Sequence, residues 1–199
     1  MIEFQNLPNN QPYDKFKDLY ISAKKLNQEN IEAIAISSYD IKNKEVNSRF
    51  VNVKYILEED WIFFTNYNSP KSNHFKDHNN ISALFFWPSI NVQIRLKANI
   101  KKTSMEFSDF HYQNRSMQKN ALAHSSEQSK KIDSYNAVIK RYEAMLNAEE
   151  SIKKRPKFWG GFKFKPYYFE FWEGHNSRLN KREAYEKVNE SWNHFILQP

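Results

Sequence analysis

The sequence predicts a mainly β chain with peripheral helices, an α+β fold whose hairpin-paired strands form a closed or split antiparallel barrel. Three observations predict it. Val92, Ile94, Leu96, Ala98 and Ile100 alternate without a break against Gln93, Arg95, Lys97, Asn99 and Lys101, which marks a strand with one core face and one polar face. The stretch from Ser48 to Lys71 sets β-branched and aromatic residues on either side of an acidic turn, Glu58-Glu59-Asp60. Further apolar runs near both ends are separated by segments with helical spacing. At 199 residues the chain is read as one domain, residues 1–199, with an irregular arm over 1–12.

Taken in order, Phe16, Leu19, Tyr20, Ala23 and Leu26 recur at helical spacing and predict an amphipathic helix from Tyr13 to about Gln28. Ala33 to Ser38 reads as a short strand, and Asp40 to Asn47 as a polar connection into the Ser48–Lys71 hairpin. Within that hairpin, Arg49 and Lys54 differ in parity, so they are expected on opposite sheet faces. A short helix follows Pro70 through Lys76, then a strand from Ile81 to Trp87 and the alternating strand from Asn91 to Lys102. Thr103-x-x-Glu106 has the spacing of a capping box and predicts a helix to about Asn114. Tyr135, Val138, Ile139, Tyr142, Met145 and Leu146 predict an amphipathic helix ending near Glu149. The last third returns to strands: Phe158 to Lys165, a turn at Pro166, Tyr167 to Glu173, and Ser191 to Leu197.

Composition excludes several chemistries. Without cysteine there are no disulfides, thiolate metal sites or cysteine nucleophiles. The three glycines, Gly160, Gly161 and Gly174, all lie in the last quarter, so neither a Walker A loop nor a GxGxxG turn is built here. Any bound phosphate must then be held by side-chain cations and isolated backbone amides. The net charge of +7 raises nucleic acid as a partner, but the cations are dispersed among acids and form no stripe. No apolar run reaches the length of a membrane span and no signal-peptide pattern opens the chain, so a cytoplasmic protein is expected. His74-x-x-x-His78 offers two imidazoles on one helical face; lacking a third ligand, they are read as solvated polar histidines. No serine elbow or acid–base carboxylate pair stands out, so chemistry must come from a cofactor.

Two stretches carry a more specific signal. The first is Arg49-x-Val51-x-x-Lys54, a strand ending Phe64-Thr65-Asn66, and Ser69-x-Lys71. The second is Phe158-Trp159-Gly160-Gly161-Phe162, a strand ending Glu170-Phe171-Trp172, then Arg178-Leu179 and Arg182. It places an aromatic plane and two guanidinium groups near one strand end, a set that suits a planar anion. Both resemble the motifs of the pyridoxamine 5'-phosphate oxidase family, in the same order, over roughly Leu7 to Pro199.

The resemblance implies an FMN-binding split barrel acting as a homodimer with flavin at the interface. It implies that Arg49 and Lys71 hold the FMN phosphate and that Phe64 and Thr65 lie beside the flavin. Gln93, Trp172 and Arg182 are further flavin contacts, with Gln128 and Ser129 given across the interface. For a small phosphorylated substrate it implies Lys54 and Arg115 on the phosphate, with His111 and Lys119 where the family has Tyr and Ser. It sets Arg178 over the substrate ring, and Asn180 where the family has a catalytic His. Pro70 replaces a basic residue, and the amino-terminal lid motif has no counterpart before Leu7. A one-residue slip would put Tyr112 in place of His111.

The activity implied is oxidation of pyridoxine or pyridoxamine 5'-phosphate to pyridoxal 5'-phosphate, with hydride passing to flavin and then to oxygen. Two alternatives stand beside it. One is a flavoprotein of the same fold that acts on another substrate or only holds FMN. The other is a basic nucleic-acid-binding module.

Overall fold

Alternation along the strands turns one face of a single sheet inward, and the register of one long strand decides where that sheet splits. The computed structural model describes residues 1–199, apart from the side chain of residue 149. The elements are β1 (Glu3–Gln5), α1 (Tyr13–Lys25), β2 (Ala33–Asp40), β3 (Glu45–Asn52), β4 (Tyr55–Leu57), β5 (Asp60–Asn66), α2 (Pro70–Asp77), β6 (Asn80–Trp87), β7 (Val92–Lys102), α3 (Met105–Gln113), α4 (Met117–Ser125), α5 (Tyr135–Leu146), α6 (Glu149–Ile152), β8 (Trp159–Glu173), β9 (Lys181–Val188) and β10 (Ser191–Leu197). The strands follow the order β1-β4-β5-β8-β7-β6-β2-β3, with β9 branching from β8 and β10 from β9. Every pairing is antiparallel except β1 with β4.

β8 makes the split. Its first half, Trp159 to Phe164, pairs with β5, while Tyr168 to Glu173 pairs with β9. β7 runs along both halves. The sheet therefore curls without closing and is a split antiparallel barrel. Inside lie Ile34, Ile36, Phe63, Phe85, Ile94, Leu96, Phe164 and Phe171. Helix α1 plugs the barrel with Tyr13, Phe16 and Tyr20; the ring of Phe16 meets Trp61 at 4.5 Å in an edge contact. A second, smaller cluster of Tyr112, Ala123 and Trp159 fastens α3 and α4 to the start of β8.

Several expectations change here for physical reasons. The stretch after Ser48 is not one hairpin. β3 pairs with β2, the chain breaks at Val53-Lys54, and the hairpin is β4–β5. Pro166 makes no turn: β8 runs through it, and Tyr167 is the extra residue of a bulge opposite Lys97 and Ala98. A bulge is where a strand tolerates a residue without an N–H. Ser104, not Thr103, caps α3, its hydroxyl accepting from the Phe107 amide. Part of the amino-terminal arm is strand β1, and α4 and β9 were not foreseen. α5 has the expected helical register, yet none of its residues is buried. Among the described residues, no helix is long and apolar enough to cross a membrane.

Candidate functional site

A cavity of about 790 Å³ opens where β3, the end of β5, the start of α2, α3, α4 and the α4–α5 loop meet. Its walls carry ten of the residues singled out above: Arg49, Lys54, Phe64, Thr65, Lys71, His111, Arg115, Lys119, Gln128 and Ser129. Arg49 and Lys54 share it because the break after Val53 resets the alternation, so the expected separation onto two faces does not hold. The cations form two groups.

The first group is Arg49 with Lys71. Lys71 sits at the second position of α2, started by Pro70 at N1, and is buried. Its ammonium donates to Ser69 Oγ at 2.9 Å and to Gln128 Oε1 at 3.1 Å. The Thr65 hydroxyl donates to the same Gln128 oxygen at 3.1 Å. Asn66 also holds this loop, through a bond from Nδ2 to Ser126 O. Gln128 is thus built into its own protomer's cation group, where the resemblance implied a loan from a second subunit. Burial, then the adjacent Arg49, pushes the Lys71 ammonium down to about 8. Burial also lowers the Arg49 guanidinium. Two desolvated cations side by side, with no carboxylate between them, call for an anion.

The second group is Lys54, Arg115 and Lys119, with His111 beside them. The Arg115 guanidinium lies 4.2 Å from the centroid of Trp159 and donates from Nη2 to Lys119 O at 2.9 Å. Its Nη1 is buried without a protein partner, the state of a donor waiting for a ligand oxygen. Glu32 holds Lys54 at 3.5 Å. His111 stacks flat on Phe64, with centroids 3.6 Å apart, and its Nδ1 is 2.9 Å from Tyr55 Oη. Burial, then Arg115, Lys54 and Lys119, pushes the His111 imidazole down to about 4. It is neutral near pH 7, and in the tautomer that accepts from the Tyr55 hydroxyl at Nδ1 it keeps Nε2–H as a donor. Tyr112, the alternative by a one-residue slip, is fully buried and donates to Ile152 O at 2.8 Å. His111 is therefore the cavity residue.

The remaining candidates lie elsewhere on the protomer and do not line this cavity. Gln93, Trp172 and Arg182 are register partners across β7, β8 and β9, forming one row on the outer sheet face. Arg182 is held by Glu170, to which Nε and Nη2 donate at 3.0 and 2.8 Å, and Glu170 also accepts from Arg95. Arg178, exposed and at φ 63°, and Asn180 sit in the β8–β9 loop. Asn180 Oδ1 is engaged there by the His175 amide at 3.0 Å.

Residues 159–199 match a family described as the pyridoxine 5'-phosphate oxidase C-terminal dimerisation region. Over 195 residues the chain is 32% identical to a pyridoxine/pyridoxamine 5'-phosphate oxidase of Colwellia psychrerythraea, covering 96% of this chain and 88% of that one. The chain belongs to the pyridoxamine 5'-phosphate oxidase family. It is accordingly an oxidoreductase of an FMN-binding family. A second relative, the pyridoxine/pyridoxamine 5'-phosphate oxidase of Cytophaga hutchinsonii, is 38% identical over 156 residues, 76% of this chain and 72% of its own. The fold agrees with that of PhzG from Burkholderia lata, solved with tetrahydrophenazine-1-carboxylic acid. There the TM-score is 0.88 at 23% identity, over 96% of this chain and 94% of that one. It also agrees with a pyridoxamine 5'-phosphate oxidase-related, FMN-binding protein of Nostoc punctiforme, with TM-score 0.78 at 12% identity over 96% and 100%.

Within this family frame the departures acquire structural meaning. Pro70, where the resemblance implies a basic residue, starts α2. Lys119 adds a cation on the rim of the second group. Sequence reading missed the role of Trp159 as the platform under Arg115. Its only signal was its place in the Phe-Trp-Gly-Gly-Phe run.

Proposed function

We propose that this chain is an FMN-dependent oxidase of pyridoxine or pyridoxamine 5'-phosphate, working as a homodimer. One observation carries the reading: two separate cation groups face one cavity, as a site for two phosphates requires. The residues fit FMN. Arg49, Lys71, Thr65, Gln128 and Ser129 offer charge and hydrogen bonds for its phosphate, and Phe64 offers an aromatic wall for the ring. Lys54, Arg115, Lys119 and neutral His111 would take the substrate phosphate, with the unpartnered Arg115 Nη1 as one donor. Gln93, Trp172 and Arg182 cannot serve their own protomer's cavity from the outer face of the sheet. A second copy, brought together through the 159–199 region, would supply them along with Arg178.

When bound, FMN supplies an acceptor for hydride from the substrate 4' carbon, with oxygen as the final oxidant and hydrogen peroxide as product. The chain's own part is to fix both phosphates so that this carbon is held over the ring. A concave, two-centred basic site suits small dianions better than a nucleic-acid duplex, whose phosphates call for an open stripe.

A flavoprotein acting on another substrate is the second reading, and Asn180 favours it. The residue holds its own loop and has no ionisable group for the ring. Anaerobic flavin reduction by each vitamer separates the two. Slow reduction by the phosphorylated vitamers, raised more in rate than in affinity by Asn180→His, is the expected result. Reduction by another small donor and by no vitamer would overturn the oxidase reading.

A further inference from the structure

His74, set aside in the sequence as a solvated histidine, is buried and belongs to a chain of contacts that ends at the phosphate site. The Arg49 Nη1 donates to Ser38 Oγ at 2.7 Å and to Ile36 O at 3.2 Å. Ser38 Oγ, itself buried, lies 3.0 Å from His74 Nδ1. On the far side, His74 Nε2 lies 3.3 Å from Asp40 Oδ2. Asp40 is fixed in its turn by Lys42 N, Asn43 N and Asn43 Nδ2. Among the described residues, no group of three or more His, Asp or Glu side chains is placed to hold a metal ion.

The direction of each bond follows from donor and acceptor chemistry. An ionised carboxylate only accepts, so in its neutral form His74 presents Nε2–H to Asp40 and keeps Nδ1 as an acceptor. The Ser38 hydroxyl then donates to Nδ1, and its oxygen is left to accept from Arg49. Ser38, His74 and Asp40 are all satisfied together in that orientation. Among the described residues, Arg49 Nε and Nη2 have no protein acceptor, which leaves them for a ligand. The arrangement also answers a physical problem. Arg49 stands beside the buried Lys71 ammonium, and like charges push a long side chain toward water. Lys71 and His74 share α2, one turn apart, so the helix that brings the repelling cation also brings the anchor.

We propose that His74 is a positioning residue of the phosphate site, holding Arg49 at the cavity wall through Ser38 while Asp40 fixes its imidazole. The proposal rests on the assignment of Arg49 and Lys71 to the FMN phosphate. It predicts that His74 and Ser38 govern discrimination between FMN and riboflavin, which differ only in that phosphate.

The test is fluorescence titration of the flavin-free full chain with FMN and with riboflavin, alongside its thermal midpoint. In Ser38→Ala and His74→Phe the ratio of riboflavin to FMN dissociation constants should fall about tenfold, because Arg49 loses its aim, while riboflavin affinity stays near wild type. His74→Asn keeps an acceptor near the Nδ1 position and should retain most of the ratio. A general structural role would weaken both flavins alike and lower the midpoint, and that result overturns the proposal. Arg49→Ala provides the calibration. If it lowers the ratio while Ser38→Ala and His74→Phe leave it unchanged, the positioning role falls alone. If the wild type shows no preference for FMN, or Arg49→Ala has no effect, the phosphate assignment falls and the positioning role with it.

Discussion

Lys71 shows how much one buried ammonium can report. It is pushed down to about 8, mainly by burial and then by Arg49. The sign follows from the folded value lying below the ordinary 10.5. Below pH 8 the fold carries the cost of a buried charge, and that cost is relieved as pH rises from about 8 toward 10.5. A phosphate dianion against the ammonium restores the charged form. Binding FMN below pH 8 therefore needs no extra proton, whereas above it a proton must be taken up. FMN affinity should fall above pH 8 by up to about tenfold per unit, and riboflavin affinity should not. Titrations of both flavins from neutral to alkaline pH check this, and parallel curves would remove Lys71 from the phosphate site. Arg49, Lys54 and Lys71 stood out in the sequence through the resemblance of their motif, since isolated cations in a strand read by themselves as solvated charges, and the fold brings all three to one cavity. Ser38, His74 and Asp40 were not, since nothing in a linear sequence says that a strand serine faces a helix histidine.

Among the elements, β8 is the most constrained, because it serves β5, β7 and β9 along one length. A Cβ on Gly161 would stand 2.5 Å from Thr103 Oγ1 and 3.1 Å from Phe64 Cε1. Thr103 Oγ1 is tied to Ser108 Oγ at 2.9 Å and cannot withdraw freely. For Gly174 the three nearest atoms all belong to the side chain of Asn91, an exposed residue that can give way more easily. Gly161→Ala should cost on the order of 1–3 kcal/mol and several degrees in Tm, Gly174→Ala distinctly less. Thermal unfolding of the two variants decides it; equal losses would mean that the Thr103 contact is not the constraint. The glycine pair was readable as a close approach, since only glycine admits one there. The passage of the strand through Pro166 was not, because a proline in sequence signals a break and only the pairing register reveals the bulge. β9 escaped notice for another reason. Its sequence, KREAYEKV, reads as a charged surface until the ion pairs of Glu183 with Lys15 and Lys181, and of Lys187 with Glu59, are seen to satisfy it. α4 shows no apolar periodicity, and α5 shows periodicity without burial, so pattern and packing part company there.

At the scale of the whole molecule, the candidate site residues divide into two sets that one protomer does not bring together. Arg49 and Lys71 face the cavity, while Gln93, Trp172 and Arg182 form a row on the outer sheet face within or beside the 159–199 region. If the outer row completes the cavity of a second copy, the two sets can be inactivated in separate chains and restored in a mixture. Arg49→Ala and Arg182→Ala should each hold FMN poorly as homodimers. A hybrid dimer contains one site with both substitutions and one with neither. Random exchange of the two variants should therefore return about a quarter of the sites to wild-type affinity. Flavin retained per protein after mixing, unfolding and refolding together is the measurement, with dimer mass confirmed for each variant. Because Arg182 also neutralises the buried Glu170, a Trp172→Ala partner serves as the second arm, free of that ion pair. Recovery in both arms requires that each site draw on two chains. No recovery from stable dimers in either arm would show that Arg49 and the outer row serve separate purposes, and the shared-site reading would fall.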